Sequence, residues 1–289
     1  MKKTILMLVI LVIGCQRAFA QQGAEPDGGY LDVGGAKIYY ETRGNGPALV
    51  LVHDGLLHRE VWNEQWETYS KSYRVIRYDR RGYGRSEAAK QPYSEIEDLH
   101  ALLAHLRVSR AALIGSSAGS GLVMEYALAH PQIIERLILV GPVVGGLSFS
   151  EHFNNRNREN FRPLAERRDM AGTIARWAQD PYIIAGNNES ARRRMQELLT
   201  QNPQNIAHPS NFAKSPPRPT LARLGEISAP TLIIVGEADI PDVHAHAGAI
   251  QAGIPKAKRM VLPGTGHLPY LERPDAFNAP VLRFLAEQN

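Results

Sequence analysis

The stretch Ala111-Ala112-Leu113-Ile114-Gly115-Ser116-Ser117-Ala118-Gly119-Ser120-Gly121 decides how the chain is read. Its first four residues form a short apolar run of the kind that makes a buried strand. Residues 122–130 behind it carry amphipathic helical spacing, and Pro131 closes them. Gly-x-Ser-x-Gly at Gly115 to Gly119 joins the two segments, the pattern in which a serine rides on a sharp strand-to-helix turn. Small residues at Gly115, Ala118 and Gly119 relieve crowding at such a bend, while Ser117 takes the strained backbone position. The turn lifts the Ser117 hydroxyl clear of the sheet, beside a helix N-terminus whose free N–H groups favour an oxyanion. A phosphate cradle is the competing use of a glycine-rich turn. Gly115, Gly119 and Gly121 match neither the dinucleotide fingerprint nor the nucleotide loop ending in Lys-Ser/Thr.

On either side of this turn the chain alternates strands with helices. Residues 30–33 and 37–42, around Gly34-Gly35, read as a β-hairpin. Short apolar runs follow at 48–52, 73–78, 111–114, 137–140, 231–235 and 259–262, separated by helical segments. A parallel sheet covered on both faces has this pattern. The expected class is therefore α/β, with a mostly parallel eight-stranded sheet flanked by helices. Ile96, Leu99, Leu102, Leu103 and Leu106 mark one buried helix face, and Pro274 opens a last helix with Phe277, Val281 and Phe284. Between residues 147 and 224 the alternation lapses into polar, arginine-rich helical sequence (Arg156, Arg158, Arg162, Arg167, Arg168, Arg192, Arg193 and Arg194), and Pro216-Pro217-Arg218-Pro219 leads back to the sheet. We read 147–224 as an inserted helical cap over the site, with residues 28–146 and 225–289 as the core. Most of these arginines need be no more than a solvated face.

A chain of 289 residues with net charge +4 can bury a substantial core and has no Lys/Arg block or aromatic-basic array of the kind that grips nucleic acid. Residues 1–20 stand apart. Lys2 and Lys3 precede an apolar run at 5–13 and then Ala18-Phe19-Ala20, the layout of a secretory signal peptide too short to span a bilayer comfortably. Val12-Ile13-Gly14-Cys15 is the alternative, a lipoprotein box that would place a lipid anchor on Cys15. Either route takes the protein out of the cytoplasm, to the periplasm, the envelope or the medium. Cys15 is the only cysteine, so the chain forms no internal disulfide and carries no thiol nucleophile in its folded part.

A serine hydroxyl is a weak nucleophile at neutral pH and needs a histidine base, itself oriented by a carboxylate. Asp239 follows the run 231–235 in Gly236-Glu237-Ala238-Asp239, and His267 follows the next run in Gly264-Thr265-Gly266-His267. Ser117, Asp239 and His267 then stand at the carboxyl ends of parallel strands, where ligands bind in such sheets, and in the chain order of the α/β-hydrolase architecture. Glu237 and Asp242 are the rival carboxylates. With His53-Asp54-Gly55 after a strand, Asp79-Arg80-Arg81-Gly82-Tyr83-Gly84-Arg85-Ser86, and Gly264-Thr265-Gly266-His267-Leu268-Pro269, nearly the whole mature chain resembles the α/β-hydrolase family with a cap. The resemblance implies Ser117 as nucleophile, His267 as general base and then acid, and Asp239 as its orienting partner. It also implies two oxyanion N–H donors, each worth about 3–4 kcal/mol. We assign them to Ala118 and to Gly55, with Leu56 as the substitute.

Asp54 departs from the family pattern, which commonly has glycine there. A carboxylate aimed at the oxyanion would raise its energy, so the Asp54 side chain is expected to turn away or to meet a cation. His53 is expected to be a loop hydrogen-bonder, and the Asp79–Ser86 loop a scaffold turn. His244 and His246 point apart on a helix, so no metal is expected. The expected function is hydrolysis of a small-molecule carboxylic ester or lactone through an acyl-enzyme, without a cofactor; within the family, the look is nearest to esterases and enol-lactonases. Serine at the turn argues against the branches of the fold whose nucleophile is a carboxylate. Two alternatives stand beside it: an aminopeptidase or amidase, which would need an acidic cluster near the cap, and a non-catalytic binding member. The cap arginines would suit an acidic substrate. Nothing in the sequence sets the oligomeric state.

Overall fold

Apolar residues in each central run point alternately to opposite faces, and the computed structural model, which describes residues 27–186, 188–207 and 212–287, shows what each face buries. Val50 and Val52 of β3 (Ala48–Val52) lie on one side, with Leu113 of β5 (Ala111–Ser116) and Leu137 and Leu139 of β6 (Ile134–Val140). Leu49 and Leu51, Ile114, and Ile138 and Val140 lie on the other. Both sets are buried, so these strands read as continuous apolar runs.

The remaining strands among the described residues are β1 (Asp27–Asp32), β2 (Lys37–Arg43), β4 (Arg74–Tyr78), β7 (Thr231–Gly236) and β8 (Ala257–Leu262). The sheet order is β1-β2-β4-β3-β5-β6-β7-β8. The β1–β2 and β2–β4 pairs are antiparallel and every other pair is parallel, which is the expected mostly parallel eight-stranded sheet. β1 begins before residue 30, because its ladder runs from Asp27 opposite Thr42.

One face packs against α2 (Glu95–His105), α3 (Ala118–Ala129) and α8 (Pro241–Gly253). The other packs against α1 (Asn63–Tyr69) and α10 (Pro274–Ala286). Ser94 caps α2 by accepting from Glu97 N, and its apolar stripe Leu99, Leu102 and Leu103 is buried. Between β6 and β7 lie α4 (Glu151–Arg167), α5 (Met170–Gln179), α6 (Glu189–Gln201) and α7 (Gln204–Ala207). The short α9 (Pro269–Glu272) precedes α10. Ser150 caps α4 at Phe153 N, and Ser150 itself is held by Asp242 in the first turn of α8, so the insertion is fastened to the core where it leaves it. The leader expected at residues 1–20, with Cys15, lies outside the described residues. No described helix is long and apolar enough to cross a membrane.

Candidate active site

Ser117 has φ 52° and ψ −114°. The left-handed region is unfavourable for a non-glycine residue and costs of order 1–3 kcal/mol, so the surrounding structure must hold it there. It does so by packing β5 and the end of β3 directly on α3: a Cβ on Gly115 would sit 2.4 Å from Gly119 O, and one on Gly119 would sit 2.5 Å from His53 O. Only glycine allows this approach. Ser117 N donates to Val140 O at 2.8 Å, which ties the turn to β6.

His267 follows β8 and Asp239 follows β7, while Ser117 follows β5, so the imidazole must reach across the end of β6 to share a site with the serine. Gly141 ends β6 with φ +49°, and a Cβ there would stand 2.8 Å from His267 Nδ1 and 3.3 Å from Asp239 Oδ2. The missing side chain is the space the pair occupies. His267 Nδ1 lies 2.8 Å from Asp239 Oδ2. A carboxylate only accepts, so Nδ1 carries the proton and Nε2 is left with a free lone pair. Asp239 Oδ1 accepts from Ile240 N at 2.7 Å, which fixes the carboxylate. The rivals are engaged elsewhere: Glu237 accepts from Gly264 N at 2.9 Å, and Asp242 holds Ser150.

Ser117, Asp239 and His267 line one cavity of ≈ 210 Å³ together with Asp54, Gly55 and Leu56. A Cβ on Gly55 would meet Ala118 Cβ at 3.5 Å, so the two assigned amide donors come from adjacent residues. Among the described residues neither N–H donates to another protein group. Leu56 is different: its N–H donates to Asp54 Oδ1 at 2.7 Å, as Leu57 N–H does at 2.9 Å. That occupies the substitute donor. Asp54 Oδ2 accepts from Tyr270 OH at 3.3 Å, so the carboxylate is paired by two amides and a phenol rather than by a cation. The far wall comes from the insertion, through Phe153, Arg156, Asn157, Phe161, Trp177 and Ile183.

The sequence matches the family model described as the alpha/beta hydrolase family over residues 49–279. The chain belongs to the alpha/beta hydrolase family. It is 25% identical over 248 residues to a pimeloyl-[acyl-carrier protein] methyl ester esterase of Nitrosomonas europaea, covering 84% of this chain and 97% of that one. It is 27% identical over 268 residues to a 2-hydroxy-6-oxo-6-phenylhexa-2,4-dienoate hydrolase of Comamonas testosteroni, covering 87% and 92%. The structure of the enol-lactonase from Burkholderia xenovorans LB400 superposes with a TM-score of 0.73 at 25% identity, covering 90% of this chain and 100% of that one.

Electrostatics in this alpha/beta hydrolase favour the charged His–Asp pair. Burial lowers the His267 pKa, but the charge and hydrogen bond of Asp239, with Asp54 behind them, raise it overall above 6.5. His53 goes the other way, pushed well below its usual value by burial and by the Arg80 charge. It is a neutral loop anchor, accepting from Arg80 N at 2.9 Å on Nε2 and donating to Asp54 O at 2.8 Å through Nδ1. The 79–86 loop is a scaffold as expected: Asp79 takes Arg59 and Arg85 N, and Ser86 Oγ donates to Asp79 O. His246 accepts from Val144 N and stacks on Phe149.

Three supporting residues escaped the sequence reading. Tyr270 stacks on Trp62 and serves Asp54 and Ser116. Gly141 makes room for the imidazole. Glu272 accepts from Gly266 N at 2.6 Å and from Ala185 N at 2.8 Å, so one carboxylate fastens both the histidine loop and the insertion. Burial pushes its pKa up to about 7, against the pull of those two amides. Only Gly141, in Val140-Gly141-Pro142 at a strand end, left a visible sign.

Proposed function

We propose that this alpha/beta hydrolase cleaves a carboxylic ester or lactone through an acyl-enzyme on Ser117. The observation that carries the proposal is the cavity in which Ser117, on its strained turn, shares a wall with a histidine already bonded through Nδ1 to a buried carboxylate. In this mechanism Ser117 Oγ attacks the carbonyl carbon while His267 Nε2 takes its proton. Asp239 stabilises the imidazolium that forms. The Ala118 and Gly55 N–H groups hold the oxyanion, and the position of Leu56 N–H on Asp54 supports Gly55 as the second donor. Collapse of the intermediate expels the alkoxide, which recovers the proton from His267. Water, deprotonated by the same nitrogen, then releases the acid. The relatives named as a methyl ester esterase and an enol-lactonase support this bond class.

An aminopeptidase would need a carboxylate free to take a substrate ammonium on the cap side. Asp180, the acid bonded to the cavity-lining Arg156, is also held by Asn160 and Tyr182 N and so is not free for that task. The test is a panel of chromogenic esters and lactones with wild type and Ser117→Ala. Turnover of at least one ester or lactone that vanishes in the variant supports the proposal, and equal turnover by both ends it. The leader at 1–20 supports export of the enzyme as well. A secreted or envelope-fraction mass beginning at Gln21, or at a lipid-modified Cys15, would establish it, and an unprocessed cytoplasmic chain would refute it.

A further inference from the structure

Two residues that line the cavity each carry a buried hydrogen-bond donor that the protein does not satisfy. Arg156 uses two of its three guanidinium nitrogens, donating from Nε to Asp180 Oδ2 at 2.7 Å and from Nη1 to Asn157 Oδ1 at 3.2 Å. Its Nη2 is buried and has no partner among the described residues, and neither has the buried indole Nε1 of Trp177. Both side chains line the cavity that contains Ser117 and His267. The Arg156 guanidinium carbon lies 5.2 Å from the Trp177 ring centroid, so the two residues form one neighbourhood. Arg156 is also near enough to His267 for its charge to oppose protonation there. Buried donors are rarely left unmet in a folded protein, and an unmet pair on two residues that wall a reaction cavity points to an acceptor that arrives with the ligand as the side chains adjust to it.

Charge decides which acceptor. Asp180 is fixed by three donors, Arg156 Nε, Asn160 Nδ2 and Tyr182 N, so Arg156 is already neutralised by its own partner. The opposite wall carries two further carboxylates, Asp54 and Asp239. A further carboxylate brought by the substrate would enter a cavity with no unpaired cation to receive it, whereas a neutral carbonyl oxygen offers these donors an acceptor without adding charge. The other cap arginines do not alter this, because Arg156 is the one arginine among the described residues that line the cavity, and Arg162, Arg167, Arg176 and Arg194 are besides paired with acids. The acidic substrate that the arginine count suggested is therefore the disfavoured one.

We propose that Arg156 and Trp177 form an acceptor subsite that selects substrates bearing a second, uncharged carbonyl group besides the one that is cleaved. This rests on the ester or lactone reading and adds to it which substrates are preferred. The subsite lies on the insertion, away from the sheet-end loops, so it reads the part of the substrate remote from the reacting carbon.

The experiment uses p-nitrophenyl oxoalkanoates in which the ketone is moved one carbon at a time along the acyl chain. Each is compared with the alkanoate of the same length and with the matching half-ester that ends in a carboxylate. At the best ketone position, kcat/KM should exceed that of the alkanoate by about 10-fold or more, the scale of a hydrogen bond from a charged donor, and the carboxylate should fall below both. Arg156→Met should bring the ketone-to-alkanoate ratio close to one, and Trp177→Phe should lower it several-fold. Because the ratio is taken within each variant, a general loss of rate cancels, and thermal unfolding reports whether the variant is folded. A ratio near one in the wild type, a ratio that survives in Arg156→Met, or a preference for the carboxylate would each overturn the subsite. Cleavage of the alkanoates without ketone preference refutes the subsite alone. If no ester is cleaved and Ser117 resists a fluorophosphonate, the ester reading fails and the subsite falls with it.

Discussion

Gly141→Ala puts one methyl group into the gap at the end of β6 that the His267–Asp239 pair occupies. The new Cβ would lie 2.8 Å from His267 Nδ1, 2.9 Å from Cε1 and 3.3 Å from Asp239 Oδ2. Ordinary contact between carbon atoms begins near about 3.5 Å, so the ring must retreat by at least half an ångström. A misplacement of about 1 Å can cost about 10²-fold in rate, which sets the expected loss in kcat at about 10- to 100-fold with little change in KM. The φ of +49° adds a backbone penalty of about 1–2 kcal/mol for any residue with a Cβ. The assay pairs steady-state kinetics on a short-chain p-nitrophenyl ester with urea unfolding. In an Asp239→Asn background, where the pair is already broken, the same methyl should cost much less in rate, because the two changes act on one contact. A Gly141→Ala enzyme with wild-type kcat and unchanged stability would refute the placement of the His267–Asp239 pair beside the end of β6.

The raised pKa of His267 has two consequences of opposite sign. Activity needs the neutral ring, so kcat/KM should climb with pH through a midpoint above 6.5, and Asp239→Asn should move that midpoint down; a wild-type midpoint at or under 6.5 would contradict it. Stability follows the other form: the charged pair stabilises the fold fully below the unfolded value of about 6.5, and that contribution disappears as pH rises through the folded value. Glu272, whose folded pKa of about 7 lies above its usual 4.5, likewise favours the fold in its protonated form, so its contribution declines as pH rises from 4.5 to about 7. Glu272→Gln should flatten the urea midpoint over that window and lower kcat several-fold by loosening Gly266, whereas an unchanged slope would remove Glu272 from the account. Asp54→Ala strips the loop of the acceptor for Leu56 and Leu57 N–H and should reduce kcat about 10- to 100-fold by releasing Gly55. Asp54→Asn, which keeps an oxygen there, should fall far less, and equal loss in both would point to the charge instead.

The strands were legible because burial on both faces leaves an unbroken apolar run, visible in Leu49 to Val52 without any tertiary information. The turn at Ser117 was legible because its glycines have no other use at that spacing. The start of α3 was not. Residues 118–121 are small and glycine-rich and look like a continuing loop, yet the helix begins at Ala118 because the backbone reverses at Ser117 itself. Asp239 could be separated from Glu237 and Asp242 only by the partners each one takes. Tyr270 and Asp54 are 216 residues apart, and no periodicity links positions so distant. The arginines of the insertion illustrate the same limit, since their number suggested an anion site, whereas the pairing of Arg156 with Asp180 is visible only in the fold.

Whether Ser117 is an activated nucleophile is read most directly by covalent labelling with a fluorophosphonate, followed by intact mass and peptide mapping. The account predicts one adduct per chain, on Ser117, absent in Ser117→Ala and formed at least about 10³-fold more slowly in His267→Ala. No adduct on the folded wild-type enzyme, an adduct on another residue, or equal labelling without His267 would contradict it.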